Sequence, residues 1–189
     1  MRSRRGSVVL GAAVALALVA ACSPKGGKAA DTGAGSGDGT MLAAQGGSGD
    51  AAAELKKSQA FLAKNAKAKG VKVLPSGLQY RVERSGPADG PRPKLGDDVK
   101  VHYEGTLLDG TVFDSSYQSG QPAVFKVGEV IEAWNEALQL MRPGDVWYLY
   151  VPADIGYGPE GKGPIPGNAV MVFKVELLGV LPNGASAFG

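Results

Sequence analysis

The sequence predicts an α+β domain in which a curled antiparallel β-sheet wraps one short helix. Three observations predict it. Short runs alternate with period two between turn signals, as where Val99, Val101 and Tyr103 interleave with Lys100, His102 and Glu104. Within this β-rich region one stretch, Val130–Leu140, has helical spacing: Ile131, Trp134 and Leu138 fall at i, i+3 and i+7, with Glu132 and Glu136 on the other side. Gly and Pro are abundant, 29 and 12 of 189 residues, which suits a turn-rich sheet plus a flexible segment. That length holds one domain and its appendages rather than two sizeable cores.

The first element is a leader, Met1–Ala21. Arg2, Arg4 and Arg5 make a positive start, and Val8–Ala21 is an apolar run too short and too rich in Ala for a comfortable membrane span. It ends in Leu18-Val19-Ala20-Ala21-Cys22, which resembles a bacterial lipobox. There the thiol of Cys22 is the nucleophile that takes a diacylglycerol, and several acyl chains give stable anchoring. An ordinary signal peptide is a second reading of the same residues, and a retained membrane helix a third. Ser23 follows, without the Asp that often retains such lipoproteins in the inner membrane. The expected address is therefore the cell envelope, lipid-anchored in the outer membrane and facing the periplasm. Residues 22–50 form a linker of Gly, Ala, Ser and Asp without periodicity, with a reach of about 30 Å as a Gly-rich coil. It reads equally as a tether or as a tail without a task.

A lead-in helix is expected over residues 51–70, from AAAELKKSQAFLAKNAKAK with Gly70 as its stop. Leu55, Phe61 and Leu62 give it a thin apolar stripe, which suits a stalk, a dimerisation helix or a solvated lead-in. The globular domain then spans 71–181, and 182–189 is a tail. Val71 opens a first strand, Pro75-Ser76-Gly77 a turn, and Leu78–Arg84 a second strand. Asp98–Thr106 and Thr111–Ser115 are strands joined through the turn signal Asp109-Gly110. Ala123–Val127 follows, then the helix, broken by Met141-Arg142-Pro143-Gly144. Asp145–Val151 and Ala169–Val180 close the sheet, the latter with Met171, Phe173, Val175 and Leu177 on one face. The segment Pro152–Asn168 is too long for a mere connector and is expected to be functional.

Composition excludes several chemistries. Net charge is +2, and loss of a leader holding Arg2, Arg4 and Arg5 lowers it by three to −1, so no basic stripe for nucleic acid remains. One cysteine and one histidine rule out an internal disulfide and a zinc site built on Cys and His, and Cys22 lies in the leader region, before the fold that holds His102. What is concentrated instead is apolar and aromatic. Val99–Trp134 gathers Tyr103, Phe113, Asp114, Phe125, Val130, Ile131 and Trp134. Brought to one concavity they make an apolar cup with a few polar handles, the usual form of a small-ligand site.

In VHYEGTLLDGTVFDSS, FKVGEVIEAW, YVPADIGYG and VMVFKVELLGV, Val71–Leu181 resembles the FKBP-type peptidyl-prolyl cis-trans isomerases, in the family's order and spacing. FLAKNAKAKGVKVLPSGLQYRV and EALQLMRPGD resemble the bacterial macrophage-infectivity-potentiator type, which is exported and carries a helical dimerisation region. Here that region is cut to about one helix, so a monomer or weak homodimer is expected. The resemblance implies an FKBP-like fold, isomerisation of X–Pro bonds in proline-containing polypeptides, and no cofactor or metal. It implies Tyr103, Asp114 and Tyr157 as catalytic residues. It implies Phe113, Phe125, Val130, Ile131, Trp134, Ile165 and Phe173 as substrate-binding residues, Trp134 being the floor. Ala123 stands where cytosolic relatives often carry an aromatic, and Gly158–Gly163 holds no histidine; weak binding of immunosuppressant macrolides is expected. Two functions fit such a pocket: an isomerase that assists folding of exported proteins, and a module that grips proline-containing segments without turnover.

Overall fold

The computed structural model describes residues 47–183. The expected leader, Cys22 and nearly all of the linker lie outside the described residues, as does most of the tail. Among the described residues no helix is long and apolar enough to cross a membrane.

The described chain runs α1 (Gly47–Asn65), β1 (Val71–Val73), β2 (Gln79–Arg84), β3 (Asp98–Thr106), β4 (Val112–Ser115), α2 (Ser116–Ser119), β5 (Ala123–Lys126), α3 (Glu132–Leu140), β6 (Val146–Val151) and β7 (Met171–Leu181). All strand pairs are antiparallel, in the order β1-β2-β6-β7-β3-β4. β5 shares the outer edge of β3 with β4. Asp98–Val101 pairs with β5 and Glu104–Thr106 with β4, and bulges in β3 let one strand serve both.

The alternation read from the sequence sets what faces inward. Val99, Val101, Tyr103 and Gly105 of β3 are buried, and so are Met171, Phe173, Val175 and Leu177 of β7. α3 lies in the concavity and buries Ala133, Trp134, Ala137 and Leu138 against them. Removing this face from water contributes roughly 1.5–3 kcal/mol per large apolar side chain, which offsets the entropy of ordering. The break after α3 is held by Asp145, whose carboxylate accepts from the backbone N–H of Arg142 at 2.9 Å and of Gly86 at 2.6 Å.

Some boundaries differ from expectation. α3 begins at Glu132 rather than Val130. Ile131 is extended at ψ 151°, and the Asn135 side chain draws the preceding segment back by accepting from Gly128 N–H at 2.7 Å and donating to the Val130 carbonyl at 2.8 Å. The short α2 and a 3-10 turn at Ala153–Ile155 were not expected, each too brief for a periodic signal.

α1 starts and ends earlier than the expected 51–70. It is docked rather than solvated. Its inward stripe is Ala51, Glu54, Ser58, Phe61, Leu62 and Asn65, while Leu55 is 42% exposed. Polar bonds set that face: Asn65 Nδ2 donates to Gln79 Oε1 at 2.9 Å, and Gln79 Nε2 donates to the Leu62 carbonyl at 3.0 Å. Phe61 meets Tyr150 at 5.9 Å.

Candidate active site

A cavity of about 320 Å³ opens over α3. Its lining comes from four strands, the helix and the segments beside them: Tyr103 from β3, Asp114 from β4, Phe125 from β5, Glu129, Val130 and Ile131 from the lead into α3, Trp134 from α3, Tyr157 and Lys162 from the long loop after β6, and Phe173 from β7.

The floor is built from rings. Trp134, 4% exposed, meets Tyr103 at 5.2 Å and 88°, Phe125 at 5.5 Å and 86°, and Phe173 at 5.4 Å and 84°. Each presents an edge-to-face contact, the favoured aromatic geometry, contributing about 0.5–1.5 kcal/mol beyond area burial. Standing these rings on end around the indole fixes a shaped, apolar hollow. The indole N–H has no acceptor among the described residues. Phe113 does not line the cavity but braces Phe173 from behind at 5.5 Å and 89°. Gly105 makes that possible: a Cβ there would lie 2.6 Å from Phe113 Cζ and 2.9 Å from Phe173 Cε1.

Charge lies at the mouth. The charged lining residues Asp114, Glu129 and Lys162 are exposed, whereas Tyr103, Trp134 and Phe173 are buried. Tyr103 Oη donates to Asp114 Oδ2 at 2.6 Å. Burial, then the Asp114 hydrogen bond and charge, hold the Tyr103 hydroxyl well above its ordinary value near 10, so it is a donor at any physiological pH. Lys162 Nζ sits 5.3 Å over the Tyr157 ring. Below the rim, buried Ser116 accepts from Tyr103 N–H at 2.8 Å and bonds His102 Nδ1 at 2.9 Å. His102 is half-buried and stacks on Tyr117 at 4.8 Å.

The structure therefore brings together Tyr103, Asp114, Phe125, Val130, Ile131, Trp134, Tyr157 and Phe173 of the expected set. Phe113 and Ile165 stand behind the wall, Ile165 buried in the core. Glu129 and Lys162 were missed, as was Asn135, which holds the Glu129–Ile131 segment. Asn135 next to Trp134 was the one available signal, as a polar residue beside the helix's apolar face. Among the described residues no three His, Cys, Asp or Glu side chains gather as metal ligands do. An apolar hollow with a hydrogen-bonding lip, whose lining leaves out the bonded Ser116 and His102, suits reshaping a bound group rather than breaking bonds.

Residues 90–178 match the FKBP-type peptidyl-prolyl cis-trans isomerase family, and residues 38–82 match the domain amino terminal to it. The second match takes in α1 and β1 and ends within β2. The chain is 51% identical over 131 residues to the FKBP-type isomerase FkpA of Aeromonas hydrophila, covering 69% of this chain and 48% of that one. It is 50% identical over 125 residues to outer membrane protein MIP of Legionella longbeachae, covering 66% and 53%. The chain thus spans about half the length of the curated relatives it matches. A solved peptidyl-prolyl cis-trans isomerase from Pseudomonas syringae pv. tomato superposes with a TM-score of 0.64 at 38% identity, covering 69% of this chain and 96% of that one. With a solved relative matched over nearly its whole length, the chain belongs to the FKBP-type peptidyl-prolyl cis-trans isomerase family.

Proposed function

We propose that this chain is a peptidyl-prolyl cis-trans isomerase that assists the folding of exported proteins. The observation that carries the reading is the indole floor ringed by three perpendicular aromatic rings, with charge kept to the exposed lip.

The X–Pro bond resists rotation because its nitrogen lone pair is delocalised into the carbonyl, a barrier of about 18–20 kcal/mol. At the twisted transition state delocalisation is lost and the amide dipole shrinks. An apolar, water-poor cup therefore holds the twisted form better than the planar one, and that difference is catalysis. In this reading the proline ring rests on Trp134, walled by Phe125, Val130, Ile131 and Phe173, with Phe113 and Ile165 supporting. Tyr157 donates its hydroxyl to a substrate carbonyl. Asp114, held by Tyr103, sets the lip on the opposite side. No covalent intermediate, metal or cofactor enters.

Proline-containing polypeptides are the substrates. Macrolide inhibitors bind weakly in the same cup. The protein acts as a monomer or weak homodimer, with no nucleic-acid partner. Residues 1–21 direct export, Cys22 carries lipid that anchors the chain in the outer membrane facing the periplasm, 22–50 tethers the domain, and residues from 71 to 181 carry the activity. The name of the Legionella relative supports the envelope address. The test is the slow refolding phase of a protein limited by prolyl isomerisation. The wild type shortens that phase, and Asp114→Ala and Tyr157→Phe shorten it less. A phase left unchanged by the folded wild type contradicts the reading.

A further inference from the structure

We propose that α1 is a positioning element of the pocket, with Ser58 and Asn168 as the residues that couple it to the substrate loop. The proposal rests on the isomerase reading above. The loop after β6 supplies Tyr157 and Lys162 to the cavity. It closes on itself through Lys162 N–H to the Ile165 carbonyl at 2.9 Å and Asn168 N–H to the Gly158 carbonyl at 3.0 Å. Asn168 closes it in the left-handed region, at φ 63°, the one non-glycine there among the described residues.

Two bonds tie the end of this loop to α1, more than a hundred residues away. Asn168 Nδ2 donates to the Ala51 carbonyl at 3.2 Å, and Val170 N–H donates to Ser58 Oγ at 3.1 Å. Val170 is fully buried and Ser58 is 4% exposed, so water does not readily replace the hydroxyl. A cleft of about 570 Å³ lies between Ala51, Glu54 and Lys57 on one side and Pro159, Glu160 and Pro166 on the other. The coupling is therefore concentrated at residues 168–170, three residues before Phe173 at the cavity wall. A helix that only led into the domain would have no need of a buried serine aimed at the far end of the substrate loop.

The experiment measures hydrogen exchange at the Gly161, Lys162, Ile165 and Asn168 amides, together with KM and kcat on a Leu-Pro peptide. The proteins are wild type, Ser58→Ala, Asn168→Gly and Leu55→Ala. Glycine at 168 keeps the backbone conformation while removing the amide, and exposed Leu55 on the same helix is the control. Ser58→Ala and Asn168→Gly are expected to speed loop exchange and to raise KM about fivefold each, the size of one net hydrogen bond. Expected with that are a nearly constant kcat, unchanged exchange in β3 and β6, and no effect from Leu55→Ala. Uniform acceleration across the sheet, no acceleration in the loop, or a loosened loop with KM unchanged would each overturn the proposal. A wild type without turnover sinks the isomerase reading instead, and the loop amides then decide the coupling by themselves.

Discussion

Replacing Tyr103 with Phe removes one oxygen and little else. The ring keeps its contacts with Trp134 and Phe125, so no cavity opens. What is lost is the 2.6 Å bond to Asp114. A hydrogen bond to a charged group contributes about 1.5–3 kcal/mol. Asp114 is exposed, so water recovers part of that, and the lower end applies. About 1.4 kcal/mol is a factor of about ten. If the bond holds the lip in the geometry that favours the twisted amide, kcat/KM on a Leu-Pro peptide falls about tenfold in Tyr103→Phe, and similarly in Asp114→Asn. The double variant falls little further, because both changes break the same interaction. Steady-state kinetics on the three variants measures this, with tryptophan emission reporting an intact floor. A kcat/KM within twofold of wild type, or losses that multiply in the double variant, would refute the reasoning.

The same hydroxyl predicts an alkaline weakness. Its folded pKa is raised, so the stability it contributes is complete below the ordinary value near 10 and is lost as pH rises beyond it. Stability against denaturant should fall above that pH by up to about 1.4 kcal/mol per pH unit from this group, and Tyr103→Phe should flatten the slope. Gly105→Ala drives a methyl group against Phe113 and Phe173 and should cost about 1–3 kcal/mol, read as a lower Tm. Cys22→Ala should move the protein from the membrane to the soluble fraction, with intact-mass analysis showing no lipid. A macrolide titration should change Trp134 emission and inhibit turnover only weakly.

The sheet and the cup were legible because each rests on a short-range pattern. Alternation in β3 and β7 requires one face to be apolar, and that face is the one that wraps α3. Phe113 shows the limit. Its residue type and position mark it as pocket-like, but whether a ring lines a wall or braces it depends on Gly105, 8 residues away and across a strand pair. The docking face of α1 was invisible for a different reason. It is chosen by Ser58, Asn65 and the distant Gln79, whose bonds leave no trace in a hydrophobic stripe, and the stripe read from Leu55 points partly to solvent. Glu129 and Lys162 escaped because exposed charges on loops carry no period, and only the folded loop brings Lys162 over Tyr157.

The central claim is that the hollow over Trp134 lowers the barrier to X–Pro rotation. Exchange between the cis and trans resonances of a Leu-Pro peptide at equilibrium tests it most directly, with protein far below the peptide concentration. Uncatalysed exchange takes tens to hundreds of seconds. Exchange should be accelerated in proportion to protein, with the cis fraction unchanged, since a catalyst does not shift an equilibrium. Exchange left at the uncatalysed rate, with the resonances of one isomer broadened by binding, would contradict it and leave the pocket as a peptide grip.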